Sequence, residues 1–290
     1  MKKLLILLML ITLAPTAVFA SAAKNYDTYA CVDAYDMSNS FARILTNALS
    51  ANIWAEKYAQ SLAKKIIKES AGAQFKVKID SFSVLDLKDG RFKGFEMKGE
   101  NFDSEGMFFT SMKIKTVCNF NYIVPDEKNR TVRFKEALPL RFDAVISEDN
   151  LNKTMSSVGY DKIIAELNKA AAKTGFKILE AKAKIRNDKF LYVLRTTVPL
   201  LKNPQDFVIS TDLKVVNGDI KFEHAQLLNS SFSMDLTKIA QALNFLNPLD
   251  YSLNIIENKS AELSLKNVAI KDNKITLDGL IVIPKDIIMK

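Results

Sequence analysis

The spacing of apolar positions changes period along this chain, and each change marks an element. From Ser38 the apolar residues recur at helical spacing. Phe41, Ile44, Leu45, Ala48 and Leu49 share one face, and Ala55, Ala59, Leu62 and Ile66 continue it. Ile53 and Trp54 fall off this stripe, which predicts a kink or restart near residues 50–54. From Phe75 the period is two. Phe75, Val77 and Ile79 alternate, and a phase slip at Asp80-Ser81 before Phe82 and Val84 predicts a bulge. Asp89-Gly90 predicts a hairpin turn leading into a strand over 91–101. A long strand is expected over 107–124. Phe108, Met112, Ile114, Cys118, Phe120, Tyr122 and Val124 lie on one face, and Lys113, Lys115, Asn119 and Asn121 on the other.

The middle of the chain joins a strand directly to a helix. Phe134, Leu138, Leu140, Phe142, Ala144 and Ile146 form one strand face. Ser147 is then a good N-cap, with Glu148 and Asp149 at the positive end of the helix dipole. Leu151, Met155 and Val158 follow at helical spacing, and a second run after Gly159 carries Ile163, Ile164 and Leu167 towards Gly175. Strands are expected over 176–185 and 190–198, turning at Asn187-Asp188, and over 207–216 and 220–228, turning at Asn217-Gly218. A short helix over 235–246, a strand over 251–256, and strands over 261–270 and 274–283 turning at Asp272-Asn273 complete the pattern. About ten strands separated by three helical regions indicate an α+β fold with a long, curved antiparallel sheet wrapped around long helices.

The first twenty residues stand apart. Lys2 and Lys3 precede the apolar run from Leu4 to Leu13, and Val18-Phe19-Ala20 fits small-residue cleavage, the pattern of a secretory signal peptide. Residues 21–35 form an extended leader, and 36–290 form one domain of two similar halves, about 36–146 and 147–290. A cleaved signal predicts a periplasmic or secreted protein. Its removal takes away two lysines and no acids, lowering the formal charge from +8 to +6. That mild excess favours transient contact with anionic membrane surfaces. No basic run and no aromatic-basic interleaving points to nucleic acid. Cys31 and Cys118 would meet an oxidising compartment, where two readings stand. They form a disulfide, or they are separate thiols with Cys118 buried on its strand.

Catalytic and cofactor patterns are missing. His224 is the sole histidine, it sits within a strand pattern, and no G-x-S-x-G turn accompanies it. One histidine and two distant cysteines make a poor zinc set, and nine glycines provide no phosphate-cradling loop. The chain reads as a non-enzyme without cofactor. Eighteen phenylalanines and nine methionines are spread over strand faces and helix stripes. They suit a large core, and equally an adaptable lining for acyl chains.

Several segments together resemble one family. A leading helix precedes Asp89-Gly90-Arg91-Phe92, and a long strand precedes Ile146-Ser147-Glu148-Asp149-Asn150-Leu151-Asn152. Val216-Asn217-Gly218-Asp219 and Leu277-Asp278-Gly279-Leu280 follow, before Pro284. In this order they resemble the bacterial LmeA-like phospholipid-binding family over about residues 40–285. The helix opener is the most specific piece: the family favours Thr/Ser-Glu-x-Asp-Leu-Asn, and here Asn150 replaces the Asp. The resemblance implies an exported phospholipid-binding protein of the cell envelope with a tubular, curved-sheet architecture, and it transfers no catalytic residue. On that reading the partner is phospholipid. The acyl lining is expected from Phe108, Met112, Ile114, Phe120, Phe134, Leu138, Leu140 and Phe142 on strands, with Leu45, Leu49, Leu151, Met155 and Ile163 on helices. The competing expectation is a structural or protein-interaction protein of the envelope, in which these same residues are ordinary core.

Overall fold

The computed structural model describes residues 29–48, 51–71, 75–104, 106–126, 131–199, 201–228, 244–249 and 261–289. The expected signal segment, all but the last turn of the helix expected over 235–246, the strand expected over 251–256, and Leu49 lie outside these residues.

The helical stripe after Ser38 becomes two helices, α1 (Ser40–Ala48) and α2 (Ala51–Ala71). β1 (Phe75–Asp80) follows, and then the chain departs from the expected bulged strand. Val84–Lys88 is a short helix, α3. Its cause is local: Ser83 accepts from the Asp86 N–H at 3.1 Å and donates its own hydroxyl to the Asp86 carboxylate at 2.6 Å. That reciprocal cap outweighs the strand alternation. β2 (Arg91–Phe92), β3 (Gly94–Ser104) and β4 (Met107–Thr116) come next. The long strand expected over 107–124 is interrupted, because the chain bends at 117–119 before β5 (Asn121–Asp126). Cys118 is joined there to Cys31, with Cα atoms 5.5 Å apart. Asn121 donates to the carbonyls of Lys93 and Cys118 at 3.0 and 3.1 Å, holding the bend.

β6 (Thr131–Phe134) and β7 (Leu138–Ser147) lead into α4 (Glu148–Met155) and α5 (Val158–Ala170). The second of these helices starts at Val158, with Ser157 as its N-cap accepting from Tyr160 N–H, so Gly159, where a break was expected, lies inside its first turn. The remaining strands are β8 (Lys177–Arg186), β9 (Lys189–Thr197), β10 (Gln205–Val216), β11 (Asp219–Leu227), β12 (Glu262–Lys271), β13 (Lys274–Ile283) and β14 (Ile288–Met289). The turns at Asn187-Asp188, Asn217-Gly218 and Asp272-Asn273 have positive φ at both residues, the two-residue hairpin conformation these residue types favour.

These strands build a six-stranded antiparallel sheet in the order β1-β3-β4-β7-β13-β12, a four-stranded sheet β11-β10-β9-β8, and a smaller one β14-β6-β5-β2. The C-terminal hairpin β12–β13 therefore returns to the first sheet. The tip of the β10–β11 hairpin reaches the same sheet, where Leu265 N–H donates to the Gly218 carbonyl at 3.0 Å. Both edges of the second sheet are closed by side chains. On β8, Asn152 and Asn168 each make paired bonds with one residue's N–H and C=O, to Ala183 and Ile178, all within 2.7–2.9 Å. Glu148 accepts from Ile185 N–H at 2.8 Å. On β11, Asn244 accepts from Phe222 N–H and Asn247 donates to the Ile220 carbonyl. Carboxamides thus replace the missing neighbour strands.

The sheets are not wrapped around the long helices. α2 packs beside the edge strand β1. Asn52 accepts from Val84 N–H at 2.7 Å, and Glu56 accepts from Ser81 N–H and Oγ at 2.8 and 2.7 Å. These two polar side chains tie the first turns of α2 to the segment that follows β1, at the edge of the sheet. The interior is instead filled by the two large sheets with α4 and part of α5, where Leu151, Tyr160 and Phe190 are fully buried.

Candidate functional site

Register places one continuous apolar face on the six-stranded sheet. Directly opposed residues of an antiparallel pair lie on the same side. Val77, Met97, Ile114, Phe142 and Gly279 therefore form one row across β1, β3, β4, β7 and β13. Ile79, Phe95, Thr116, Leu140 and Ile281 form the next, and Phe75, Gly99, Met112, Ala144 and Leu277 a third. Gly99 and Gly279 make room for rings on this floor. A Cβ at Gly99 would lie 2.2 Å from the Phe75 ring, and one at Gly279 would lie 2.8 Å from Phe142.

Coverage of the face is uneven. Along β7 and β13 it is buried, with Phe142, Ile146 and Ile275 at 2% exposure or less. Towards β1, β3 and β4 the same rows continue as Phe75, Ile79, Phe95, Met97, Met112 and Ile114, all half-buried. A strip of apolar side chains with two methionines and two phenylalanines thus lies between the packed core and the side of the sheet bordered by α2. The reverse face carries Lys76, Lys98, Lys113, Lys115, Glu96, Arg141 and Asp143. There a hydrogen bond from Lys98, with the charge of the nearby Lys113, holds the Glu96 carboxyl below its usual range against the opposing effect of burial.

Of the residues proposed for a lining, Met112, Ile114, Leu140 and Phe142 come together on this face, and Leu138 continues it opposite Ile283. Leu151 and Met155 are buried on α4, and Ile163 is half-buried on α5. Three others lie elsewhere. Phe120 packs against Tyr35 with ring centroids 5.3 Å apart, beneath the leader. Phe134 is buried in the small sheet. Leu45 is exposed on α1. Phe108 is half-buried between the buried Met107 and Phe109, whose side chains are one position out of phase with Met112 and Ile114. Asn101, at φ +49°, lies on the partner strand where this phase changes. Sequence reasoning passed over Phe95 and Met97. Their alternation was legible, but their place beside Met112 depended on which strands pair.

Two polar features bring together groups that could do chemistry. His224 sits at a bulge of β11 with φ +50°; its side chain is 71% exposed, and Nδ1 lies 3.3 Å from Asp212. Lys189 bonds the same carboxylate. This is a solvent-exposed contact at the sheet surface. Tyr160 and Tyr192 are buried, in contact through their hydroxyls, and both reach the Leu246 carbonyl, at 2.6 and 2.9 Å. Burial pushes both phenols above their ordinary range, so they remain neutral and structural. Among the described residues no cluster of His, Cys, Asp and Glu is arranged to hold a metal ion.

The model of the LmeA-like phospholipid-binding family matches residues 51–279. The chain belongs to that family. No curated protein and no solved structure matches it. The helix opener over residues 146–152 is, in this structure, a joint. Ser147 caps Asn150 N–H at 3.2 Å, and Thr110 Oγ1 accepts from Ser147 N–H and Asn150 Nδ2 on the first sheet. Glu148 and Asn152 hold the edge of the second sheet, and Leu151 is buried between them. These residues therefore assemble the scaffold and stand apart from the half-buried strip.

Proposed function

We propose that this protein is exported to the periplasm or secreted, and that it binds phospholipid by laying acyl chains along the strip Phe95, Met97, Met112 and Ile114. The observation that carries the reading is the half-buried apolar strip of the six-stranded sheet, in a member of a phospholipid-binding family. The force is removal of apolar chain from water, about 0.8 kcal/mol per buried methylene. Methionine side chains adapt to chains of differing length and unsaturation. The head group stays at the solvent margin, so one site takes lipids as a class and serves their transport or maintenance in the envelope. The action is sequestration rather than catalysis. The N-terminal pattern of residues 1–20 supports export, and a disulfide between Cys31 and Cys118 suits an oxidising compartment.

Native mass spectrometry of the purified exported protein, before and after organic extraction, tests this. The expected result is one co-purifying phospholipid that extraction removes. Met112→Trp fills the strip at a half-buried position beside the packed core of β7 and β13. Displacing about two methylenes predicts a roughly tenfold loss of affinity. A mass without lipid and no uptake from short-chain phospholipid would instead assign the strip to ordinary core.

A further inference from the structure

The N-terminal helices present their faces the wrong way round for a water-soluble surface. In α2 the polar Asn52 and Glu56 point inward to Val84 and Ser81, while Ile53, Trp54 and Tyr58 point outward. Trp54 is 75% exposed and Tyr58 68%. In α1, Phe41, Ile44 and Leu45 lie on one turn-spaced face and are 74%, 68% and 52% exposed. The two helices are in contact with each other, and between them they expose six large apolar side chains. Scattered exposed apolar residues need no explanation, but a contiguous set marks an interaction surface.

We propose that this face of α1 and α2 is a docking surface for an anionic lipid bilayer. Charge selects that occupant. Residues 40–71 carry Arg43, Lys57, Lys64, Lys65 and Lys68 against Glu56 and Glu69. Glu56 is turned away into its bonds with Ser81. Lys57 Nζ lies 5.6 Å over the Trp54 ring, so a cation accompanies the most exposed aromatic group. Tryptophan, tyrosine and phenylalanine beside lysine and arginine is the composition that seats at the head-group level, where rings enter the acyl boundary and cations meet lipid phosphates. Seating there is shallow and reversible. Among the described residues no helix is long and apolar enough to cross a membrane. The position also has a use. α2 packs on β1, whose Phe75 and Ile79 begin the half-buried strip, so docking sets that edge of the sheet one helix diameter, about 10 Å, from the bilayer. The inference rests on the lipid-binding reading above for its purpose, though its evidence is separate.

Trp54 is the sole tryptophan of the chain, so its fluorescence reports on this face alone. With phosphatidylglycerol-containing vesicles the exported protein is expected to float with the lipid, and its emission to shift to the blue. Both effects weaken with added salt, and both are small with pure phosphatidylcholine vesicles. A triple variant, Phe41→Ser, Ile44→Ser and Tyr58→Ser, keeps the reporter and alters only exposed side chains. It is expected to lose flotation about tenfold or more while retaining its co-purified lipid. Lys57→Glu is expected to weaken flotation by itself. Undiminished flotation of the triple variant, or no flotation of the parent protein, overturns the proposal. A parent dimer that the triple variant dissolves in sedimentation velocity also overturns it and gives the face to a second copy. Docking without any bound lipid in the mass spectrum leaves this surface standing and removes the acyl-chain reading instead.

Discussion

At the scale of single residues, asparagine does much of the assembly. Asn152 and Asn168 each imitate a peptide unit, offering a carbonyl and an N–H to one residue of β8. Removing one leaves a backbone donor and acceptor without their partner. Asn152→Ala is therefore expected to cost about 1–3 kcal/mol in urea unfolding, and Asn152→Asp, which keeps the acceptor for Ala183 N–H but turns an oxygen towards the Ala183 carbonyl, is expected to be destabilising as well. Asp86 is the other critical position. Its carboxylate is fully buried and accepts from Ser38 N–H, Ser38 Oγ and Ser83 Oγ, with Arg91 Nε at 3.6 Å. Burial raises its pKa, but the bonds from Ser83 and Ser38 and the charge of Arg91 outweigh that and hold it below the ordinary value. A carboxylate depressed in the folded state adds stability above its unfolded pKa of about 4, and that stability is lost as pH falls through the folded value. Stability followed by urea titration between pH 7 and pH 2 is expected to fall on the acid side. Asp86→Asn should flatten that fall and lower stability at pH 7 by about 1–3 kcal/mol, because the bonds from Ser38 and Ser83 lose their charged acceptor while Arg91 keeps Asp36 and Asp89.

At the scale of elements, several segments obeyed their alternation and several yielded to one strong local or covalent interaction. The hairpins at Asn187-Asp188, Asn217-Gly218 and Asp272-Asn273 were legible because their residue types set the turn conformation directly. The expected strand through Val84 gave way to α3, since the Ser83–Asp86 cap satisfies helix-start groups that a strand would leave open. The long strand over 107–124 gave way at Cys118, where the bond to Cys31 and the Asn121 amide impose a bend. That disulfide closes a loop of 87 residues and pins the leader, assisted by Tyr35 on Glu136 and Asp36 on Arg91. Chain-entropy reasoning assigns such a loop roughly 4–5 kcal/mol. The Cys31→Ser, Cys118→Ser pair is expected to lose a few kcal/mol in denaturant unfolding. The leader should then become the first site cut by limited proteolysis.

At the scale of the whole molecule, the two large sheets are joined at α4 and again where the β10–β11 tip meets β12. This leaves one end of the six-stranded sheet less covered than the other, and the proposed lipid strip lies at that end. A ligand held there binds only the folded state, so short-chain phospholipid should raise the melting temperature with a concentration dependence set by its affinity. Met112→Trp is expected to reduce that increase, while the exposed-face triple variant is expected to leave it unchanged. The pair of results separates the strip from the helical surface.

The amino-acid sequence by itself determined the α+β class, most strand boundaries, the three tight hairpins, the Ser147 helix start and the family. These follow from period, turn chemistry and capping, which act between residues close along the chain. It also contained the anomaly of Ile53 and Trp54, which fell off the helical stripe. Tertiary structure alone decided what that anomaly meant. Asn52 and Glu56 found partners on Ser81 and Val84, and this turned the aromatic side outward. It alone set Phe95 and Met97 beside Met112, split the expected lining between the sheet face, the leader and α1, and kept the long helices out of the core. Those outcomes depend on strand order and on bonds between segments distant in sequence, and period-based reading carries no information about either.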